Sequence, residues 1–555
     1  MTELAAGELA WARRSLTQRA ELLDRTRERT GRHAQEWVDA AVGIKGIDPD
    51  SSLVGEEWMS GPYALAAALR VLADTLRALA AGTSPLDGAT FGQAGDRVTV
   101  QVLPTSLYDE LLLSGFRAEV WLRRGVSSAV AKAEAGLAQR DPARTGGIGA
   151  VLGAGNITSI APLDTVYELI AHNRVVALKL NPVTDALRPV LEKVLAPLIE
   201  ADVLRVLTGG PAAGAYLVNH PSVAHVHMTG SAATHDAIVW GTGPEGAARK
   251  QAGTPLLSTP ISSELGGVSP TIVLPGTWSD ADLTYQAEHI ATQRLHNGGY
   301  NCVAAQAVII AADWPQKAQF LEALRKAFDR APGRPAYYPG SADRTADARA
   351  TYPAAERLGP DGNRTLVTGL SATSDEVLLS REYFAPVLGV VEIPGSGADF
   401  ARAAVVAAND DFLGTLGVNV IAHPDTIAAL GPVFDEIVAD LRYGTVAINA
   451  WTAVGYLTPT ASWGAFPGHT LDDVQSGIGV VHNAWLIDKI ERTVVRGPFR
   501  PAPRSVLHRE WALSPKPPWF VTNRTAGTTG RRLTDFAVDP RWSRLPAIFA
   551  SALRG

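Results

Sequence analysis

The spacing of apolar residues predicts three regions of different secondary structure. About the first ninety residues contain stretches such as YALAAALRVLADTLRALAAG, where apolar positions recur every three or four residues, as in an amphipathic helix. The segment DRVTVQVLP alternates apolar and polar positions and predicts a strand within residues 96–105. From residue 146 onward, short β-like runs such as GGIGAVLGAG and RVVALKL alternate with helical stretches such as LDTVYELIAH. That alternation predicts βαβ units and a parallel sheet.

The regular pattern ends near Trp485. The segments RGPFRPAPRS and SPKPPWF are rich in proline, which lacks a backbone N–H and disfavours helix at the residue before it. We therefore expect an extended segment, wrapped on the surface of the protein, beyond this point.

Length and composition narrow the class of protein. At 555 residues the chain exceeds the usual limit of one hydrophobic core, so we expect two or three domains. A hydrophobic fraction of 46% and a net charge of −6 are typical of a globular protein and do not favour a nucleic-acid partner. No run approaches the roughly 18 to 20 apolar residues of a membrane span, and the N-terminus lacks a signal-peptide pattern. A single cysteine fits a reducing compartment, so the expected location is the cytoplasm.

The single cysteine, Cys302, follows a turn. It stands in HNGGYNCVAAQAVII, after Gly298 and Gly299 and just before an apolar run. A lone cysteine is usually a small, inert, buried residue. Here, however, a loop enters a buried element, and reactive side chains are commonly carried by such loops. Cys302 is therefore a candidate nucleophile.

Polar residues follow several predicted strands. Asn156 ends one strand-like run, and Lys179 ends the next, 23 positions later. In doubly wound sheets, ligands bind beyond the carboxyl ends of the strands, so we expect both side chains at one crevice. Gly230 and Ser231 in HMTGS form a strand-to-helix turn suited to phosphate oxygens. Each of these residues alone is more often a turn former or a solvated side chain.

Glu264 follows in SSELGG, 38 positions before Cys302. Together with this order of residues, the segments ELGGVSP, NGGYNC, EYFAPVLGV and HPSVAHVHMTGS resemble the aldehyde dehydrogenase superfamily. Shorter agreements are AAND, LRYGTVAIN and SGIG, and the resemblance extends from about residue 146 to residue 479. It implies an aldehyde-dehydrogenase-like α/β fold with a Rossmann-like parallel-sheet cofactor domain, an α/β catalytic domain and a small oligomerisation element.

On this resemblance, residues 1–262 are expected to hold the N-terminal helices and the dinucleotide-binding domain, with the strand at 96–105 in oligomerisation. Residues 263–450 are expected to form the catalytic domain with the nucleophilic cysteine. Residues 451–555 are expected to return to the cofactor domain and to add a Pro- and Arg-rich C-terminal extension. The expected assembly is a homodimer or a homotetramer.

The resemblance also implies a reaction, the NAD- or NADP-dependent oxidation of an aldehyde to a carboxylic acid. Cys302 would attack the carbonyl carbon as a thiolate, because the thiol itself is a poor nucleophile. The Asn156 amide and the Cys302 backbone N–H would stabilise the developing alkoxide. Glu264 would activate the water that hydrolyses the resulting thioester, and burial can raise its pKa toward neutrality.

The cofactor residues that the family implies have counterparts in this chain. They are Lys179 on a ribose, Gly230 and Ser231 at the phosphates, Glu382 on the nicotinamide ribose and Phe384 beside the nicotinamide.

Pro182 stands three positions after Lys179, where relatives commonly have a glutamate. That glutamate accepts the adenosine ribose 2′-OH and repels a 2′-phosphate. Because Pro182 removes the repulsion, we expect NADP to be accepted at least comparably to NAD. Thr184 or Arg205 are candidates for further contacts.

Other departures from the family pattern surround the expected site. Ala154 and Gly155 replace Pro-Trp before Asn156, Tyr300 replaces a glutamine, and His235 replaces the second glycine of the phosphate turn. Val480 and Val481 replace an Arg-Glu pair, so a proton relay through that glutamate is absent.

Three aromatic residues, Tyr300, Trp451 and Tyr456, are expected to line an apolar or aromatic substrate tunnel. No metal is expected, because His225 and His227 in HVH lie on one strand face without a cluster of further ligands.

Two alternatives stay open. A CoA-acylating relative would use a thiol in place of water, and the water-activating Glu264 argues against it. A non-catalytic relative would serve as a structural or binding protein, and the retained Cys302 argues against it. The product formed from an aldehyde distinguishes these readings.

Overall fold

Residues 1–80 form five helices that precede the sheets. The computed structural model describes residues 1–373 and 375–555. The helices are α1 (Thr2–Arg13), α2 (Leu16–Arg32), α3 (Ala34–Lys45), α4 (Val54–Trp58) and α5 (Ala64–Ala80). Ser15 caps α2 in a capping box with Gln18, and α5 buries Leu65, Leu69 and Leu72 at helical spacing. The helical prediction for this region is confirmed.

An antiparallel unit follows the helices. It consists of β1 (Phe91–Ala94), β2 (Arg97–Leu103), α6 (Leu107–Leu112), β3 (Arg117–Leu122) and α7 (Ser128–Glu134). β2 confirms the strand predicted within residues 96–105.

The predicted βαβ units form a parallel sheet. Its elements are β4 (Ile148–Leu152), α8 (Ile160–Ala171), β5 (Val175–Lys179), α9 (Arg188–Val194), α10 (Ala196–Glu200), β6 (Leu204–Leu207), α11 (Pro211–Val218), β7 (Val223–Gly230), α12 (Ala232–Val239), α13 (Gly243–Ala252) and β8 (Ile261–Leu265). The strands lie in the order β8-β7-β4-β5-β6, and every pair is parallel. Asn156, Lys179, Gly230 and Glu264 therefore lie at or near one carboxyl edge.

A second, larger sheet is built from the next part of the chain. Its elements are β9 (Thr271–Val273), α14 (Asp280–Leu295), β10 (Ala307–Ala311), α15 (Lys317–Arg330), α16 (Ser341–Thr351), β11 (Glu356–Leu358), β12 (Arg364–Leu370), α17 (Val377–Ser380), β13 (Val387–Ile393), α18 (Gly397–Asp410), β14 (Gly417–Ile421), α19 (Pro424–Leu430), α20 (Pro432–Asp440) and β15 (Thr445–Ile448). Cys302 lies in the loop between α14 and β10.

The C-terminal region completes both sheets. Its elements are α21 (Ala453–Leu457), β16 (Ser462–Gly464), β17 (Gly477–Ile478), β18 (Val480–Asn483), β19 (Ile490–Arg496), α22 (Arg504–Leu507), α23 (Ala526–Val538) and α24 (Leu545–Ala552). β17 pairs with β8, where Gly477 lies opposite Glu264. β19 pairs with β15 and β3 and joins the antiparallel unit to the larger sheet, in the order β1-β2-β3-β19-β15-β14-β9-β10-β13-β12-β11.

The Pro-rich segments beyond Trp485 have little regular structure, but the chain on either side of them forms elements of the fold. β19 is an internal strand of the larger sheet, and α23 packs against α4 and α5. Small residues permit this packing, since a Cβ on Gly530 would lie 2.8 Å from the Cβ of Trp58. Most of the prolines in this region lie in the stretch between these two elements, where only the short α22 is helical. The β-branched residues of IERTVVR favour a strand, and this preference outweighs the proline content nearby.

Apolar side chains fill the space between the sheets and their helices. Within residues 1–373 and 375–555, no helix combines the length and the apolar character that crossing a membrane requires.

Candidate active site

The turn before Cys302 depends on its two glycines. Asn297, Gly298 and Gly299 all have positive φ angles, of 54°, 71° and 82°. A Cβ on Gly298 would lie 2.7 Å from the Tyr300 ring, and one on Gly299 would lie 3.0 Å from the Arg294 carbonyl oxygen. The backbone therefore approaches its neighbours where only glycine fits. This turn leaves the Cys302 side chain partly exposed.

A buried ionic network holds the turn in place. The Lys45 ammonium donates to Glu57 Oε1 at 2.8 Å and to Asn297 Oδ1 at 2.9 Å. The Asn297 backbone N–H donates to Glu56 Oε2 at 2.9 Å, and Arg334 donates to the same oxygen at 2.6 Å. These N-terminal charged residues fix the unusual conformation of Asn297. The helical pattern of the N-terminal residues did not point to this role.

Asn156 lies directly against the same turn. It follows β4 by four residues and is 6% exposed. Its side-chain Nδ2 donates to the Tyr300 carbonyl at 2.9 Å, and its own carbonyl accepts from Asn297 Nδ2 at 3.1 Å. The Asn156 amide has two N–H groups, so one stays available for a further acceptor.

Glu264 and Cys302 face each other across the two sheets. Glu264 is 1% exposed, and burial raises its pKa above the ordinary value, with a smaller contribution from Asp164. The Cys302 thiol lowers that pKa by more than Asp164 raises it, and the Trp463 indole lowers it by less, although neither group forms a hydrogen bond of good geometry with Glu264. Burial also raises the pKa of Cys302 well above its ordinary value, and the Glu264 carboxylate raises it further. The thiol is therefore protonated at neutral pH, with Glu264 as an adjacent base.

Lys179 ends β5 and is 8% exposed. Its ammonium donates to the Leu180 carbonyl at 3.1 Å. Burial lowers the pKa of Lys179, and Asp185 partly offsets this effect. Asp185 therefore places a carboxylate near Lys179, and sequence reasoning did not find it.

Gly230 and Ser231 form an exposed strand-to-helix turn. The Ser231 hydroxyl caps α12 by accepting from the Thr234 backbone N–H at 3.2 Å. His235 is fully buried beneath this turn, so its side chain does not occupy the exposed face. The turn presents backbone N–H groups to solvent at the carboxyl edge of the sheet, as phosphate sites do.

Pro182 is exposed at the start of a short 3₁₀ turn that spans residues 182–187. Thr184 is buried, and its hydroxyl donates to the Asn181 carbonyl at 3.1 Å. Arg205 is bound by Glu3 at 2.6 Å and by Asp202 at 2.5 Å. The expectation that Thr184 or Arg205 contacts a phosphate is therefore not supported, because other groups occupy both side chains.

The Glu382 carboxylate lies against the backbone at Gly266, two residues after Glu264. A Cβ on Gly266 would lie 2.1 Å from Glu382 Oε1, so this approach requires glycine. Burial raises the pKa of Glu382 to about 7, although Arg294 and the Gly267 N–H lower it. Phe384 follows with a φ of 44°, and its ring centroid lies 4.9 Å from that of Tyr338.

The two histidines of HVH share one partner. His225 Nε2 and His227 Nδ1 both lie 2.9 Å from the Ser262 hydroxyl. In the described part of the chain, no cluster of three or more His, Cys, Asp or Glu side chains has the arrangement of a metal site.

Comparison with known proteins shows which sequences and structures resemble this chain. The aldehyde dehydrogenase family model matches residues 122–337. An NAD-dependent aldehyde dehydrogenase from Sinorhizobium meliloti shares 19% identity over 90% of this chain and 87% of that chain, with a TM-score of 0.57. Aldehyde dehydrogenase C of Pseudomonas syringae, solved as a mutant with NAD+ and octanal, shares 17% identity over 90% and 88%, with a TM-score of 0.59. Residues 122–337 thus resemble the aldehyde dehydrogenase family, and the chain as a whole shares the fold of these solved structures.

Curated aldehyde dehydrogenases match shorter segments of this chain. The aldehyde dehydrogenase LUC3 of a Fusarium species is 30% identical over 162 residues, which are 29% of this chain and 32% of that protein. The peroxisomal aminoaldehyde dehydrogenase 2 of Pisum sativum is 38% identical over 109 residues, 20% of this chain and 18% of that protein. The matches thus span about a third or less of these relatives.

Within this aldehyde dehydrogenase fold, the predicted substrate residues separate into two groups. Tyr456 lies near Cys302 and Glu264, and its hydroxyl is 2.9 Å from the Ser159 hydroxyl. Trp451 packs on His296, with ring centroids 4.9 Å apart.

Tyr300 lies apart from these two residues. It is 1% exposed, its hydroxyl lies 2.7 Å from that of Ser341, and its ring stacks on Tyr338 at 5.6 Å. Its place in a substrate tunnel stays a prediction.

Proposed function

We propose that this protein oxidises an aldehyde to a carboxylic acid with NAD or NADP, through a thioester on Cys302. The observation that carries this proposal is the pairing of the only thiol with the buried carboxylate of Glu264. Asn156, in the loop after β4, lies against the turn before Cys302 and adds a donor.

The first step is the attack of Cys302 on the aldehyde carbon. Because the thiol pKa is raised, the thiol gives its proton to water as the C–S bond forms. The carbonyl oxygen becomes an alkoxide and accepts hydrogen bonds from the second Asn156 N–H and the Cys302 backbone N–H. Donors that are already in place stabilise this charge without reorganisation.

The residues at the carboxyl edge of the parallel sheet fit a dinucleotide. The exposed turn at Gly230 and Ser231 offers backbone donors, Lys179 offers a cation, and Glu382 offers a carboxylate near Cys302. NAD or NADP, when bound, supplies the acceptor for the hydride lost from the aldehyde carbon. The name of the Sinorhizobium meliloti protein and the NAD+ in the Pseudomonas syringae structure support this cofactor class.

Hydrolysis of the thioester completes the proposed reaction. Glu264 accepts a proton from water while the water oxygen attacks the acyl carbon. The C–S bond breaks, and its electron pair remains on the Cys302 sulfur. A raised pKa suits Glu264 to this role, because a base works best when its pKa is near the working pH.

The product decides between this proposal and its alternatives. The purified protein is incubated with a panel of aldehydes and NAD or NADP, with and without CoA, and the product is identified. We expect free acid in both cases, and none with Cys302→Ala. Acyl-CoA would establish the CoA-acylating alternative, and cofactor that stays oxidised with every aldehyde would favour a non-catalytic protein.

We further propose the domain division at residues 262 and 450 and a homodimeric or homotetrameric assembly. β1 is the outermost strand of the larger sheet, and its middle residues are exposed. Such an edge can pair with a second copy of the chain. Analytical ultracentrifugation tests the assembly.

A further inference from the structure

A buried carboxylate lies on α8 beside the proposed base. The Asp164 side chain has no exposed surface. It accepts a hydrogen bond from the Thr229 hydroxyl at 2.9 Å, and His482 Nε2 lies 3.1 Å from its other oxygen. His227 Nε2 lies 3.5 Å away. Burial opposes ionisation, but the two histidines hold the pKa of Asp164 below its ordinary value. The carboxylate is therefore charged and paired, as a buried charge must be.

Asp164 is linked to Glu264 through the parallel sheet. Thr229 on β7 is the register partner of Glu264 on β8, and partners in a parallel pair project from the same face. The Thr229 hydroxyl, which bonds Asp164, is therefore next to the Glu264 side chain. After burial, Asp164 is the main charge that raises the pKa of Glu264, and His482 lowers that pKa.

His482 connects this buried pair to a cleft. Its side chain is 13% exposed, and its ring centroid lies 5.3 Å from that of Tyr456. Both rings line a cleft of about 30 Å³ together with Trp463. A water molecule needs roughly 10 to 15 Å³ of such space, so the cleft can hold one. The other titratable groups around Asp164 are His227 on β7, Glu264 on β8 and Tyr456 on α21.

The residue before His482 cannot serve as a proton relay. Val481, the preceding residue on β18, is 1% exposed within an apolar cluster and cannot carry a proton. The next residue, His482, is the one that reaches the buried Asp164.

We propose that Asp164 and His482 form a proton relay for Glu264 during thioester hydrolysis, which rests on the proposed function. Glu264 gains one proton from the attacking water and must lose it before the next turnover. The Nε2–H of His482 stays in its hydrogen bond to Asp164, and Nδ1 accepts the proton of Glu264 through an intervening water molecule. Asp164 stabilises the imidazolium, which then releases the proton to water in the cleft. Each step breaks one O–H or N–H bond and forms another, so the protons and the electron pairs balance.

Pre-steady-state kinetics with His482→Gln tests this relay. Glutamine keeps an N–H donor for Asp164 but cannot carry the proton. We expect the burst of reduced cofactor to keep its rate and amplitude, and the following slow phase to fall about tenfold or more. His225→Gln is the matched control, because His225 bonds Ser262 outside the pair and should leave both phases unchanged. With His482→Ala, added imidazoles should restore the slow phase, faster as their basicity rises.

A second variant tests the link to Glu264. Asp164→Asn removes the charge that raises the Glu264 pKa, so the acid limb of the slow phase should move to lower pH. An unmoved limb, or a wild-type slow phase in His482→Gln, would overturn the relay. Equal losses of burst and slow phase in His482→Gln would also overturn it in favour of a structural role. Absence of a burst in the wild type would instead contradict the proposed function itself.

Discussion

At the scale of single residues, Cys302 decides the proposed chemistry. No second cysteine exists to replace it. Cys302→Ala is expected to abolish aldehyde-dependent reduction of the cofactor, because no other side chain of the turn can form the thioester. Fold and cofactor binding should persist, since only one partly exposed sulfur atom is lost. Turnover, circular dichroism and cofactor titration measure these outcomes, and more than residual turnover would contradict the assignment.

Glu264 and Cys302 are expected to act in different steps of the reaction. Glu264→Gln is expected to accumulate the thioester and release it at least about a hundredfold more slowly, because an amide cannot take a proton from water. Stopped-flow absorbance should show a burst of reduced cofactor followed by a slow phase. Loss of the burst as well would mean that activation of the thiol also needs Glu264.

The pH dependence follows from the same carboxylate. Glu264 acts as a base only when it is ionised, and burial raises its pKa. Hydrolysis in the wild type should therefore fall as the pH drops through that raised pKa, and Glu264→Gln should lack this acid limb.

At the scale of elements, we expect the turn after β5 to influence the choice between NAD and NADP. Pro182 lacks the carboxylate that repels a 2′-phosphate, but Asp185 brings one near Lys179. We expect both cofactors to be used. Asp185→Asn should shift kcat/KM toward NADP and Pro182→Glu toward NAD, each by about tenfold, or about 1.4 kcal/mol. The control Asp202→Asn removes a carboxylate bound to Arg205 and should leave the ratio unchanged. A wild-type preference for NAD beyond about a hundredfold would assign the discrimination to another residue.

The buried ionic network that holds the turn before Cys302 is the second feature at the scale of elements. Lys45→Met leaves the buried Glu57 carboxylate without its hydrogen-bonded cation and removes one of the two donors to Asn297 Oδ1. We expect a loss of about 3 to 5 kcal/mol in the free energy of unfolding. Lys193→Met breaks an exposed ion pair with Glu36 and should cost less than about 1 kcal/mol. Denaturant titration compares the two, and equal losses would show that the network does not stabilise the fold.

Local patterns predict the elements but not the polar contacts between distant parts of the chain. The βαβ units and Cys302 could be read from the sequence because alternation, helical spacing and the glycine turn are local signals. Asp164 and His482 are 318 positions apart, and Lys45 and Asn297 are 252 apart. A charged residue within a helical pattern is indistinguishable from a solvated one until the packing partner is known. For the same reason, the proline content beyond Trp485 gave no hint that α23 packs on α4.

At the scale of the whole molecule, α4 from the N-terminal region packs against α23 from the C-terminal region. A Cβ on Gly55 in α4 would lie 2.5 Å from the Cβ of Ala526 at the start of α23. Gly55→Ala should therefore force α4 and α23 apart and cost about 1 to 3 kcal/mol in stability. Because α4 also carries Glu56 and Glu57, which hold the turn before Cys302, turnover should fall with stability.

Gly43→Ala is the matched control for this packing. Gly43 lies in α3 with no atom within 4 Å of a Cβ at that position. The same added methyl group should there stabilise the helix by up to about 1 kcal/mol and leave turnover unchanged. Thermal unfolding and steady-state kinetics on both variants decide the matter. If Gly55→Ala keeps wild-type turnover while it lowers the melting temperature, the joined ends of the chain support the fold without positioning the catalytic turn.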